Sequence, residues 1–481
     1  MLGRIPKPED ENWDQLAEWD KKYFLRPIFA AEEYVPMPIA KTEGSYLVTP
    51  EGVKILDFMS VLHCAGCGAY HPKIAASIKE YADRFGYIYE GGFIESMRPR
   101  VVKFLIEEAS KGDFARVGFA NSGSEAVEYG TMIARLYSQR PYILTRDFAY
   151  HGWTHGAVAF TRIPYLRNIA VRPVTDGEPK PTIAPGTGMF SYLAPPPFCY
   201  RCPIGHDYPD CKKVYNGMLP CVKRTKDILL TLQPEIGAMI TEIVFGSCGV
   251  WSPPPEYAPQ IRKITEETNT LWIDDEVICG FGRTGKWFAY QLYKNIKPDI
   301  LTFAKNVTGS HVPSGGVLVS EKIAKWFDEL RWWHASTFAS HPLAMAGAYA
   351  ALTTIKEEKL IDNAVKMGKY LEDKLEGLKD RHKSIGFASG VGLIWGIEFI
   401  KNRKTREPIV PTDRHDFWAG DISKYPAKMV GAECFKRQLL VSTFAPNNVT
   451  LMPPLTITED QVDFAIEILD EAIKLVDAMV K

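Results

Sequence analysis

Short apolar runs rich in β-branched residues alternate along the chain with longer stretches of helical periodicity. Residues 117–120, 143–144, 238–240, 271–273 and 300–304 read as strands, each closed by a polar or glycine-rich loop. Helical spacing covers residues 125–137, 261–268 and 361–379, and an amphipathic helix is expected over 459–474 after Pro453-Pro454. Strands that alternate with helices predict an α/β fold whose mostly parallel sheet is covered on both faces. Ligands of such sheets sit at the carboxyl ends of the strands. Two regions break the pattern. Residues 172–222 are rich in Pro, Gly and Tyr and lack periodicity, which marks a functional loop or an insertion. Residues 400–425 are charged and irregular and read as a surface excursion. The expected division is a large domain over about 70–340, with residues 1–69 and 341–481 folding together as a smaller α+β domain.

Composition removes several function classes. The 481 residues carry a formal net charge of -1, with 46% hydrophobic and 24% charged positions. No basic stripe suggests a nucleic-acid partner. The most apolar run, GVGLIWGIEFI, is short of the roughly 18 residues of a membrane helix. The first residues, MLGRIPKPEDENWDQ, show no apolar core of a signal peptide, so a cytoplasmic location is expected. Nine cysteines make an odd set for a disulfide framework. Five are scattered, while Cys199, Cys202, Cys211 and Cys221 follow the spacing C-x2-C-x8-C-x9-C. The first pair would suit a zinc hook, and the looser remainder favours free thiols in an irregular loop.

Three segments carry candidate chemistry. NSGSEAVE, residues 121–128, follows an apolar run and passes into good helix formers. It reads as a strand, a tight turn and a helix N-terminus, where free N–H groups attract a phosphate. Gly123 permits close backbone approach. Ser124 can add a hydroxyl to such a site, or simply cap the helix. WIDDEVICGFGRTG, residues 272–285, puts adjacent acids at the end of a buried strand. A carboxylate there needs a cationic partner, either a ligand such as a pyridinium nitrogen or a base such as Arg283. Successive strand residues face opposite ways, so only one of Asp274 and Asp275 can face a given ligand. PDILTFAK, residues 298–305, ends another buried strand in Lys305. Burial would lower the lysine pKa and free its amine as a nucleophile, whereas a position just past the strand would leave it in water.

A phosphate cradle, a strand-end acid and a strand-end lysine together meet the needs of pyridoxal 5'-phosphate. In order and spacing, NSGSEAVE, AYHGW, IDDEVICGFGRTG, PDILTFAK, TFASHPLAMAGA and MPPLTIT resemble the class III aminotransferases of the fold-type I pyridoxal-phosphate enzymes. The resemblance runs from about residue 40 to the C-terminus. It implies that Lys305 is the Schiff-base lysine and that Asp275 partners the pyridine nitrogen. Gly123 and Ser124 match the phosphate cradle, Tyr150 the aromatic on the ring face and Val277 the residue under the opposite face. Glu242 matches an acid on the substrate side. Thr337 matches a phosphate ligand given by the neighbouring subunit, which implies a homodimer with shared sites, or a tetramer.

The departures concern substrate. Ile278 stands where many members carry Gln after D-E-V. The D-E-V-I-C-G-F-G-R-T-G string is similar to ω-aminotransferases, yet residues 439–443 lack the arginine that those enzymes use for a carboxylate. Residues 450–452 lack the arginine of members acting on 4-aminobutyrate or ornithine. Arg98, Arg100, His63 and residues of the 172–222 segment are the candidates to take its place. The implied reaction moves an amino group from an ω-amino acid or amine of the β-alanine, taurine or diamine type to pyruvate or 2-oxoglutarate. Racemase, decarboxylase, mutase or phospholyase chemistry would use the same motifs. A silent scaffold protein would have no need of Lys305, Asp275 and Ser124.

Overall fold

The structure is a computed structural model and describes residues 6–25, 34–163, 170–171, 181–182, 190–411 and 422–480. Its centre is a seven-stranded sheet with the spatial order Arg116–Ala120, Gly315–Val319, Ile300–Phe303, Leu271–Asp275, Ile236–Thr241, Tyr142–Arg146 and Ser191–Ala194. Gly315–Val319 runs antiparallel to both neighbours, and the other strands are parallel to one another. Strands 236–241, 271–275, 300–303 and 315–319 are buried at every position. Helices on both faces demand this, so these strands read as unbroken apolar runs. Alternate residues enter opposite cores. Leu144, Met239, Trp272 and Leu301 pack on one side, beside the helix Tyr257–Glu267. Ile143, Ile240, Ile273 and Ile300 pack on the other, beside the helix Gly123–Ser138.

The region lacking periodicity contributes to this sheet. Ser191–Ala194 forms its edge, parallel to Tyr142–Arg146. A four-residue strand among Pro and Gly is too short to show alternation, which is why the pattern missed it. The helix Pro220–Thr231 begins at the end of the same region. Residues 172–180 and 183–189 lie outside the described residues, as do 412–421 of the 400–425 excursion. The described part of that excursion pairs Glu407–Pro408 with Ile394–Asn402.

Both ends of the chain meet. A sheet of Lys41–Glu43, Tyr46–Val48 and Lys54–Asp57 is completed by Leu439–Leu440, which runs parallel to Lys54–Asp57. A further sheet joins Ile385–Val391, Ile394–Asn402, Asn448–Leu451 and Ser442–Ala445. The apolar GVGLIWGIEFI run is thus a tight hairpin at Gly392, whose φ is +56°. Glu459–Asp477 is the expected amphipathic helix. Thr458 and Gln461 close its start reciprocally, with side-chain bonds of 3.3 and 3.1 Å.

Gly315 tests the packing between the sheet and the turn that opens the Gly123–Ser138 helix. A Cβ there would lie 2.7 Å from the Ser122 carbonyl oxygen and 2.9 Å from that of Phe303. Neither backbone can yield, so Gly315→Ala should destabilise the protein by about 3 kcal/mol. An unchanged urea midpoint would show that the strand can shift.

Candidate active site

The carboxyl ends of the parallel strands converge on one edge of the sheet. Asp275 ends Leu271–Asp275 and is 4% exposed. Its Oδ2 lies 2.6 Å from His151 Nδ1. Its Oδ1 accepts the Val277 N–H and the Thr302 hydroxyl, each at 3.1 Å. Asp275 follows Ile273 in facing the side of the Gly123–Ser138 helix, and Asp274 follows Trp272 to the opposite side. Asp274 is fully buried there against Glu276. Burial foremost, then the neighbouring acid, pushes the Asp274 carboxyl well above the usual carboxylate range. The structure thus separates the two aspartates that the sequence pattern left open. Arg283 pairs with neither: it donates to the carbonyls of Leu393 and Pro453 and to Ser60 Oγ.

The helix Gly123–Ser138 starts beside Asp275. Its N-cap is Ser122, whose Oγ accepts the Glu125 N–H at 3.2 Å. Ser124 therefore does not cap. Its Oγ accepts the Trp153 N–H at 2.9 Å, which ties the loop after Tyr150 to the first helical turn. The N–H groups of Gly123 and Ser124 lie in that first turn, where no intrahelical acceptor exists. Gly123 packs on Val277, since a Cβ at Gly123 would come 2.9 Å from Val277 Cγ1. Gly152 has φ +122°, and a Cβ there would lie 2.5 Å from Ser124 Oγ.

Lys305 follows Ile300–Phe303 and Ala304 with φ 45°, a conformation that a non-glycine residue adopts only when its surroundings impose it. It is half-buried, and Nζ donates to the Leu62 carbonyl at 3.2 Å. Burial is the main cause that lowers its pKa, against the opposing pull of Cys64, Asp275 and Glu242. Glu242, just past Ile236–Thr241, accepts the Tyr150 N–H at 3.0 Å and the Gly246 N–H at 3.1 Å. Burial raises its pKa. Tyr150 is half-buried beside Ile163 and Cys248, with Phe148 and Phe444 against the same cluster.

Lys305, Asp275, Glu242, Tyr150, Gly123, Ser124 and Val277 thus occupy one region. Thr337 is exposed, one residue beyond Ser336, whose Oγ accepts from Asn121 Nδ2 at 2.9 Å. Arg98 donates to the carbonyls of Glu90 and Phe93, and Arg100 to that of Ser96. Both arginines fasten their own segment. His63, by contrast, is buried next to Leu62. Cys199 and Cys202 are half-buried, Cys211 and Cys221 buried, and all four are free thiols. Burial foremost pushes Cys199 and Cys221 up to about 12. Among the described residues no group of three His, Cys, Asp or Glu side chains is placed to hold a metal ion. His151 and Thr302 were not singled out in the sequence. His151 lies inside AYHGW, but its partner is 124 positions away, a pairing that local spacing cannot reveal.

Residues 28–473 match the class III aminotransferase family. The chain is a class III aminotransferase. This aminotransferase superposes on the crystal structure of an S-selective transaminase from Arthrobacter sp. with alanine bound, with a TM-score of 0.91 and 37% identity over 97% of this chain and 99% of that one. It is similar to a taurine:2-oxoglutarate aminotransferase from Bifidobacterium kashiwanohense, in complex with PLP and glutamate, with a TM-score of 0.87 and 27% identity over the whole of both chains. It is also 28% identical to a leucine/methionine racemase from Thermococcus litoralis, over 92% of this chain and 91% of the racemase. The fold is that of the fold-type I pyridoxal-phosphate transaminases, and the aminotransferase uses pyridoxal 5'-phosphate. Among the described residues no helix is long and apolar enough to cross a membrane.

Proposed function

We propose that this aminotransferase moves the amino group of an ω-amino acid or amine to a keto acid such as pyruvate or 2-oxoglutarate. The observation that carries the reading is the joint position of Asp275 and Lys305 at the carboxyl ends of two adjacent parallel strands. One is a buried carboxylate and the other an amine whose proton affinity burial has weakened.

Bound pyridoxal phosphate withdraws electrons from the carbon that bears the substrate amine when its ring nitrogen is protonated. Asp275 would hold that proton, with His151 and Thr302 fixing the carboxylate. The free N–H groups of Gly123 and Ser124 would bind the phosphate at the helix N-terminus. Gly123 and Gly152 leave the space that a Cβ would fill. Tyr150 and Val277 would cover the two ring faces. Lys305 would anchor the cofactor covalently, then carry the proton that leaves the substrate carbon. Its lowered pKa favours the free amine needed for both tasks. Glu242 would orient the Tyr150 loop through the backbone bond that it accepts.

On the same reading Thr337 reaches the phosphate of a partner subunit, which makes the enzyme a homodimer. The exposure of Thr337 in one chain is consistent with this. A cytoplasmic location, and a cofactor-binding unit spanning about 70–340, belong to the same proposal. Similarity to a taurine:2-oxoglutarate aminotransferase favours a donor whose amine is remote from any carboxylate. A second reading, racemisation, is favoured by the similarity to the leucine/methionine racemase.

An absorbance experiment decides between them. β-Alanine, taurine and a diamine are added in turn to the yellow enzyme without keto acid. At least one should convert the cofactor to its amine form, and pyruvate or 2-oxoglutarate should restore the original spectrum. If leucine or methionine changes hand while the cofactor never accumulates as the amine, racemisation replaces this reading.

A further inference from the structure

The two places where related enzymes carry a carboxylate-binding arginine, residues 439–443 and 450–452, contain none. Arg98 and Arg100 are held by backbone carbonyls of their own segment. Another basic group lies one residue from the carbonyl that holds the Lys305 amine. His63 follows Leu62, whose carbonyl accepts from Lys305 Nζ. The imidazole is 5% exposed, and its Nε2 has no hydrogen-bond partner. A buried polar atom without a partner calls for an explanation, such as a water, an ion or a ligand that completes it.

The surroundings indicate the charge of that ligand. The charged groups that act on the ring are Lys305, from the end of Ile300–Phe303, and Arg283, from the glycine-rich turn. Both are basic groups, and both disfavour a proton on the imidazole. Its neighbour Cys64 acts on Lys305 and Arg283. Arg283 is already committed to the carbonyls of Leu393 and Pro453 and to Ser60. Phe444 meets the ring edge-on, with centroids 6.3 Å apart. Burial foremost, then the basic groups Lys305 and Arg283, holds the free imidazole well below the usual histidine range.

The loop also holds its shape against local preference. Ser60, Val61 and His63 have φ of 49°, 58° and 60°, in the left-handed region. The Asp57 carboxylate fixes it by accepting the N–H groups of Met59 at 2.9 Å and Val61 at 2.6 Å. Strain of this kind is kept where a side chain must be aimed.

We propose that His63 receives the carboxylate of amino-acid and keto-acid substrates, taking up a proton as the carboxylate arrives. The inference rests on the transaminase reading above. An anion at Nε2 stabilises the imidazolium and raises its pKa, so binding draws one proton from solution. Carboxylate affinity therefore weakens as pH rises between the free and bound pKa values, by up to about tenfold per pH unit. An amine without a carboxylate recruits no such proton.

The test uses the holoenzyme and propanoate, a carboxylate with neither amine nor carbonyl. Calorimetric titration in two buffers of different ionisation enthalpy measures protons taken up on binding. Wild type should take up protons, and His63→Asn should not, since asparagine tolerates the left-handed backbone but cannot become cationic. His63→Asn should also raise KM for pyruvate about tenfold or more, and raise it more than KM for a diamine. Propanoate that binds wild type without proton uptake, or not at all, overturns the inference, and this arm needs no variant. Equal rises in KM for pyruvate and diamine overturn it as well. If none of β-alanine, taurine and a diamine converts wild-type cofactor to its amine form, the transaminase reading itself has failed.

Discussion

Lys305→Ala should lower kcat/KM by about four orders of magnitude, or about 5.5 kcal/mol. On the reading proposed above, the side chain would serve two tasks that no neighbour can assume: it would anchor the cofactor, and it would carry the proton between substrate and cofactor carbons. The surrounding acids, Asp275 and Glu242, are engaged by His151, Thr302 and the backbone of Tyr150 and Gly246. His63 is held neutral but lies in a loop whose geometry is fixed by Asp57. The variant should still fold, because among the described residues the Lys305 side chain makes one hydrogen bond, to the Leu62 carbonyl. The visible band of the wild-type enzyme should shift to that of free pyridoxal phosphate, and single-turnover kinetics should show no amine form. Retention of a tenth of the activity would mean that another base moves the proton.

Asp275→Asn should lower kcat by about 10³-fold. The amide oxygen can still accept the Val277 N–H and the Thr302 hydroxyl, so the strand end keeps its shape. What is lost is the negative charge that, on the same reading, would hold a proton on the ring nitrogen. The neighbouring residue supplies the control. Asp274 is one position earlier, equally buried and on the opposite face, where burial pushes its carboxyl well above the usual carboxylate range. Asp274→Asn should therefore change kcat by less than about threefold, since the exchange lies away from the site. Comparable losses in both variants would show that packing at the strand end, rather than the charge at Asp275, controls the rate.

The parts of this site that could be read in advance are those that leave a local signature. Asp275 and Lys305 each close an apolar run, and the Gly123–Ser124 turn stands between a strand and a helix. Where the sequence was ambiguous, the ambiguity had a physical origin. Asp274 and Asp275 have the same chemistry and differ only in the face to which the pleat turns them. Ser124 could cap the helix or face a ligand, and the structure gives the cap to Ser122, whose Oγ accepts the Glu125 N–H. Other features have no local signature. His151 meets Asp275 because two loops are brought together by the strand order. Ser191–Ala194 is a strand because Tyr142–Arg146 offers it an edge, not because its residues alternate. The position of His63 depends on three left-handed residues that no composition rule would assign to Ser, Val and His.

The parallel pairing of Lys54–Asp57 with Leu439–Leu440 has a consequence for how the enzyme comes into being. Asp57 sets the loop that carries Leu62 and His63, while the Phe58 N–H bonds the Leu440 carbonyl at 2.9 Å and the Met452 N–H bonds the Phe58 carbonyl at 2.8 Å. The frame around the lysine is therefore finished by residues that leave the ribosome well after every strand of the central sheet. Nascent chains can complete the central sheet while the front wall of the site is still missing. In such chains the loop that carries Leu62 and His63 lacks its finished frame until residues 439–452 pair with residues 56–58.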